Sequence, residues 1–176
     1  RAAESYQPGD PLDPDTAIGS LVSERHAEEV WECVEQARAD GTIVAGGERP
    51  AINGMTTFIT PTVVTGLPAD HRLHEHEIFG PVALVTPFDS EDEAIAKANE
   101  TPYGLAAALW TGSMARAHRV ASRLVVGTVS VNTVDALGFT TPFGGFKQSG
   151  LGRELGPDAP LHFTETKNVF FAVEES

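Results

Sequence analysis

The chain has 176 residues, enough for one domain with a proper core and too few to count on two. Twelve Lys and Arg stand against 25 Asp and Glu, and the resulting charge of -13 repels a nucleic-acid backbone or an anionic membrane, which excludes both as partners. No apolar run approaches the ~20 residues of a membrane span, the start "RAAESYQPGDP" has no signal-peptide core, and the single cysteine cannot form an internal disulfide, so a cytoplasmic, reducing compartment is expected. With Arg1 rather than methionine in first place, the chain reads as something other than an intact gene product.

Residues 1–22, rich in proline and aspartate, read as an extended lead-in. A helix is predicted from Ser23 to Asp40, with Ser23 as its cap, Ala27, Val30, Trp31, Val34 and Ala37 on one face, and Gly41 as its stop. "TIVAGG" and "FITPTVVTGL" read as strands separated by the turn-rich "GERPAING". From Pro81 the rhythm becomes regular. The strand "VALVTPF" leads into a helix opened by Ser90 with Glu93 three residues on, a capping-box pattern, and Pro102 and Gly104 close that helix. The strand "LAAALW" follows, then a helix capped by Ser113 with Met114, Ala117, Val120, Ala121 and Leu124 facing inward, then the strand "GTVSVN". Such alternation predicts an α/β fold with an open, mostly parallel sheet and crossover helices. A glycine-rich loop follows, and "ETKNVFFAVEE" forms a last strand-like stretch.

The loop "TPFGGFKQSGLGRE" (residues 141–154) fits neither phosphate-binding template. Lys147 is followed by Gln148 rather than by Ser or Thr, and Gly150-Leu-Gly152 runs into Arg153 instead of completing GxGxxG. The loop also follows the third parallel strand rather than the first. Its glycines are read as freeing the backbone for tight turns, with Phe139, Phe143 and Phe146 filling the space they leave.

"HRLHEHE" offers His71, His74 and His76 with Glu75 and Glu77, but no further ligand stands at a recognised interval, and a solvated polar turn is preferred to a metal site. Cys33 lies at the edge of an apolar stripe, flanked by Glu29 and Glu32, whose charges raise a thiol pKa, and is read as packing. Ser149 lacks a nucleophile elbow. Arg116, Arg119 and Arg123 line the outer face of the second crossover helix, where a solvated or inter-subunit role is expected. The residues thus offer a parallel sheet without a complete catalytic set.

"HEIFGPV" (76–82), "TPYGLAAALWT" (101–111) and "VNTVDALGFTTPFGGFKQSGLGRELG" (131–156), continued by "HFTETKNVFF", resemble in order the C-terminal part of the catalytic domain of the NAD(P)-dependent aldehyde dehydrogenase family. The resemblance implies that Glu77 accepts hydrogen bonds from the nicotinamide ribose hydroxyls of NAD or NADP, and that Phe79 packs beside the nicotinamide ring on a turn fixed by Gly80 and Pro81. It implies a substrate channel lined by Leu137 and Phe143, with Leu137 standing where many members carry an aromatic. His26 falls near a glutamine that helps hold the cofactor ribose in relatives. Arg153 and Glu165 are implied partners, and Asn168 to Val173 resembles a strand that joins a neighbouring subunit, making a homo-oligomer.

The implied layout is a lead-in over 1–22, a catalytic-domain portion over 23–162 and an oligomerisation strand with tail over 163–176. The family's nucleophilic cysteine, its general-base glutamate, its oxyanion asparagine and its dinucleotide-binding domain precede the matched part, and Cys33 does not align with the nucleophile. The expected activity is oxidation of an aldehyde to a carboxylic acid by the parent enzyme, with this chain inactive alone. The alternative is a non-catalytic assembly or regulatory module derived from the same family.

Overall fold

A computed structural model of the protein describes residues 1–134 and 138–172. The chain divides into two compact units, Arg1–Asp89 and Ser90–Ser176.

The first unit opens with a one-turn helix, α1 (Ala2–Ser5), and a lead-in whose aspartates make local turns: the Asp10 carboxylate accepts from the Leu12 amide and that of Asp13 from the Asp15 amide. The long helix α2 (Glu24–Asp40) begins where Ser23 Oγ accepts from the His26 amide at 3.2 Å, and its last turn closes with the Gly41 amide on the Ala37 carbonyl. Its buried face is Ala27, Val30, Cys33, Val34 and Ala37. Cys33 therefore belongs to the centre of the stripe, and Trp31, predicted there, packs at its flank.

Three strands accompany this helix: β1 (Thr42–Ala45), β2 (Thr62–Thr65) and β3 (Val82–Val85), in the order β1-β2-β3. β1 pairs antiparallel with β2, and β2 pairs parallel with β3. Both predicted strands around "GERPAING" are trimmed for a physical reason. β1 stops where Gly46 and Gly47 adopt φ of +69° and +79°. β2 starts only after Pro61, which has no amide to give a ladder. One core cluster joins Cys33, Ala37, Val64 and Leu73; a second joins Val30, Val34 and Ile59. Phe58 is also fully buried.

The second unit contains α3 (Glu91–Glu100), β4 (Tyr103–Gly104), β5 (Ala106–Leu109), α4 (Met114–Ala121), β6 (Thr128–Val131), β7 (Phe146–Lys147) and a 3-10 turn (Ala159–Phe163). Ser90 caps α3 through the Glu93 amide and Ser113 caps α4 through the Arg116 amide, as their sequences predict. β5 and β6 pair in parallel across α4, a β-α-β crossover. β4 pairs antiparallel with β7, which the sequence reading did not contain.

The fold is thus mixed α/β with parallel pairs, but among the described residues β3 and β5 lie in different sheets, so the described strands form sheets of three, two and two rather than one. Alternation in sequence signals that a strand exists; it does not name its neighbour. On α4, Ala117 is buried, whereas Met114, expected inward, is 72% exposed. Among the described residues, no helix is long and apolar enough to cross a membrane.

The arginines of α4 bind the first turn of α3. Arg119 makes a two-pronged contact with Glu91 (2.6 and 2.8 Å), Arg116 reaches the same carboxylate at 3.3 Å, and Arg123 Nη1 donates to Asp92 at 2.6 Å. Hydrogen bonding from Arg119, reinforced by Arg116, holds the Glu91 carboxyl below the ordinary carboxylate range. The outer-face arginines are therefore a clamp between two helices of one unit.

Candidate functional site

The strongest site signal is the segment running from the 3-10 turn Arg72–His74 into β3. His71 Nδ1 accepts from the Leu73 amide and His71 Nε2 meets Asp40 at 3.2 Å, while His74 bonds the Pro68 carbonyl. These contacts make the histidines parts of a turn, and among the described residues no group of three or more His, Cys, Asp or Glu could hold a metal ion.

Beyond the turn, alternate residues point in opposite senses. Ile78 packs against both core clusters. Gly80 lies so close to α2 that a Cβ there would come 2.7 Å from Val30 Cγ1. The Pro81 carbonyl accepts from the Thr62 amide at 2.8 Å, which ties the segment to β2. The residues between these anchors, Glu77 and Phe79, are left exposed. No hydrogen bond or ion pair among the described residues holds the Glu77 carboxylate, so both of its oxygens remain available as acceptors. Phe79 is 75% exposed and has a φ of +53°. A non-glycine residue in that region carries roughly 1–3 kcal/mol of strain, and an exposed ring recovers none of it by burial.

His26, in the first turn of α2, reaches the same segment. Its Nε2–H donates to the Phe79 carbonyl at 2.9 Å, and the two rings meet edge to face with centroids 6.4 Å apart. Sequence alone located His26 near a cofactor contact but not on Phe79. The missing signal was tertiary, because 53 residues separate the two.

In the second unit, the glycine-rich loop has the structural role expected of it. A Cβ on Gly127 would fall inside van der Waals contact of the Gly144 carbonyl oxygen, and one on Gly104 would lie 2.6 Å from the Val125 carbonyl oxygen. The loop is closed by paired backbone bonds between Phe143 and Glu154 (2.8 and 2.7 Å). Lys147 Nζ donates to the Asn99 and Thr101 carbonyls at 2.7 and 3.0 Å, at the C-terminal end of α3, where a cation is favoured. Arg153 donates to the Gly145 and Gly152 carbonyls and lies over the Phe146 ring, 5.1 Å from its centroid, rather than pairing with Glu165. Ser149 Oγ accepts from the Gly104 amide at 3.0 Å and braces the loop against β4. Of the three phenylalanines expected to fill the loop, Phe143 is half-buried, whereas Phe139 is 90% exposed and Phe146 lies under Arg153. Leu137 lies outside the described residues.

Cys33 is buried. Burial pushes its thiol pKa up, Arg72 opposes that rise with Nη2 4.0 Å from Sγ, and Glu32 and Glu29 add to it. The direction matches the sequence expectation, but desolvation rather than the carboxylates is the main cause. The native chain should react with a disulfide reagent about 100-fold or more slowly than the same chain in denaturant. Equal rates in a stopped-flow thiol assay would show that Cys33 is open after all.

The family model described as "Aldehyde dehydrogenase family" matches residues 1–169. The NADP/NAD-dependent aldehyde dehydrogenase PuuC of Escherichia coli is 40% identical over 172 residues, covering 98% of this chain and 34% of that protein. The 2-hydroxymuconic semialdehyde dehydrogenase of Pseudomonas putida is 45% identical, covering 95% of this chain and 35% of that protein. Among solved structures, a mutant of the P. syringae indole-3-acetaldehyde dehydrogenase AldA in complex with NAD+ and IAA superposes with a TM-score of 0.88 at 42% identity, over 93% of this chain and 33% of the other. The chain belongs to the aldehyde dehydrogenase family. It spans about a third of the length of the relatives it matches.

Proposed function

We propose that the chain is the C-terminal part of the catalytic domain of an NAD(P)-dependent enzyme that oxidises an aldehyde to a carboxylic acid. The observation that carries this reading is the pair of outward-facing residues, Glu77 and Phe79, on a segment whose alternate residues are locked into the core. A carboxylate with two unengaged oxygens suits the two hydroxyls of a ribose, and an exposed aromatic face two residues on suits a flat heterocycle. Both fit NAD or NADP at its nicotinamide end. A cofactor held there would supply the hydride acceptor for the oxidation. Glu77 fixes the sugar, Phe79 limits the ring's excursions, and Phe143 supplies an apolar wall to the substrate, with Leu137 assigned to the same channel. Binding geometry of this kind contributes by orientation rather than by bond making.

The nucleophile, the general base and the phosphate-binding loop are assigned to the remainder of the enzyme, so the chain alone should not turn over. Exposed apolar side chains such as Leu12, Val22, Trp110 and Phe163 fit surfaces that the remainder covers. Residues 23–162 are assigned to the catalytic domain and 163–176 to a strand and tail that join a second subunit of a homo-oligomer. Val169, Phe170 and Phe171 are 60%, 85% and 81% exposed and pair with no strand among the described residues, which suits that role. The cytoplasm is the compartment proposed, in keeping with a free, buried thiol.

The test is a chimera in which residues 1–169 replace the matching third of the P. syringae indole-3-acetaldehyde dehydrogenase. The chimera should reduce NAD+ in the presence of indole-3-acetaldehyde, and the isolated 176-residue chain should not. A folded chimera without turnover, or turnover by the isolated chain, would overturn the assignment.

A further inference from the structure

We infer that His26 is a positioning residue that sets the Phe79 peptide, and through it the nicotinamide wall, by donating a hydrogen bond from Nε2 rather than by touching the cofactor. The inference rests on the reading of Phe79 as that wall.

Phe79 has two anchored neighbours but an unfavourable backbone of its own, with φ at +53°. Ile78 is held in the core and Gly80 is pressed against Val30, yet neither contact selects the orientation of the Phe79 carbonyl. His26 does. Its ring nitrogen lies 2.9 Å from that oxygen, and its edge meets the Phe79 ring at an interplanar angle of 65°. A carbonyl oxygen only accepts, so every ring form that makes this bond carries a proton on Nε2. The ring is itself held. The His26 amide is bound to Ser23 Oγ at 3.2 Å, and the side chain is only 21% exposed. A ring whose Nε2 is spent on a main-chain carbonyl has no second proton there for a ribose hydroxyl. This separates His26 from a direct cofactor contact.

The geometry distinguishes two substitutions of similar polarity. Glutamine carries its amide nitrogen as many bonds from Cβ as His26 carries Nε2; asparagine carries it one bond short, at the place of Nδ1. His26→Gln should therefore retain the bond to Phe79 and His26→Asn should lose it, while both keep a polar side chain in the first turn of α2.

Two measurements test this. Long-range proton–nitrogen NMR spectra of the 176-residue chain, at a pH that keeps the ring neutral, should place the His26 proton on Nε2. Both variants lose the imidazole ring current, so the amide resonances of Phe79 and Gly80 should move in both, and clearly further in His26→Asn, which also loses the bond. A proton on Nδ1, or resonances that move no further in His26→Asn than in His26→Gln, overturns the inference. In the NAD-reducing chimera, His26→Asn should raise the KM for NAD+ about five- to tenfold, with the aldehyde KM unchanged and with His26→Gln near the parent value.

Glu77→Gln is the control for the underlying reading. If Glu77→Gln weakens NAD+ use and His26→Asn does not, the positioning role fails while the cofactor assignment stands. If neither substitution affects NAD+ use, the cofactor assignment itself fails, and the positioning role falls with it.

Discussion

Gly127→Ala should cost the second unit about 3 kcal/mol or more, the scale of severe overpacking, and in practice should leave it unfolded or rearranged. The methyl group would be driven into the Gly144 carbonyl oxygen, and that target is main chain rather than the movable end of a side chain. The neighbouring contacts offer little give. Gly144 itself has no room toward the Gly152 carbonyl and Arg153, and a Cβ on Gly145 would meet Ser149 at 2.5 Å. Gly112 is the control on the same unit, since nothing lies within 4 Å of a Cβ built there. Urea titration followed by circular dichroism should show an early or missing transition for Gly127→Ala and an almost unchanged curve for Gly112→Ala. Equal midpoints for the two would show that the loop adapts, and that its glycines are not there for close backbone approach.

The second large effect concerns the cofactor. Glu77→Gln in the assembled enzyme should lower kcat/KM for NAD+ by about 10- to 100-fold, the range for a hydrogen bond to a charged group. The substitution keeps the shape, removes the charge and replaces one of two acceptors by a donor. Because Glu77 has no partner among the described residues, the thermal stability of the chain should not fall with it. That combination separates a binding residue from a structural one. Loss of stability without loss of NAD+ use would reverse the assignment. The measurement is a steady-state titration of NAD+ alongside a melting curve.

What could be read ahead of the structure was local. Caps at Ser23, Ser90 and Ser113 and the apolar stripe of α2 follow from side-chain chemistry a few residues apart, and each appears where its spacing places it, except that Cys33 replaces Trp31 in the stripe. The β4–β7 pair did not, because two-residue strands have no period to detect and their partners lie more than 40 residues apart. Lys147 fits no phosphate-binding template, and its use at the end of α3 depends on the fold bringing Asn99 and Thr101 beside it. Met114 was assigned inward from its place on the wheel, yet α4 is short and buries only Ala117. At the candidate site, Glu77 and Phe79 could be named from a motif. The strained backbone of Phe79 and its link to His26 could not, since both are properties of the folded turn.

The backbone at Phe79 also bears on protein engineering. A procedure that rewards folding free energy alone would place glycine or asparagine at a φ of +53°, relieving strain on the order of 1 kcal/mol and removing a ring that lies 75% in solvent. By that criterion the substitution is an improvement, and the melting temperature would agree. The ring is nonetheless the part of the turn proposed to face the nicotinamide. Thermostabilisation of such an enzyme should therefore hold position 79 fixed and draw its gains from surface sites such as Leu151, whose side chain is fully exposed.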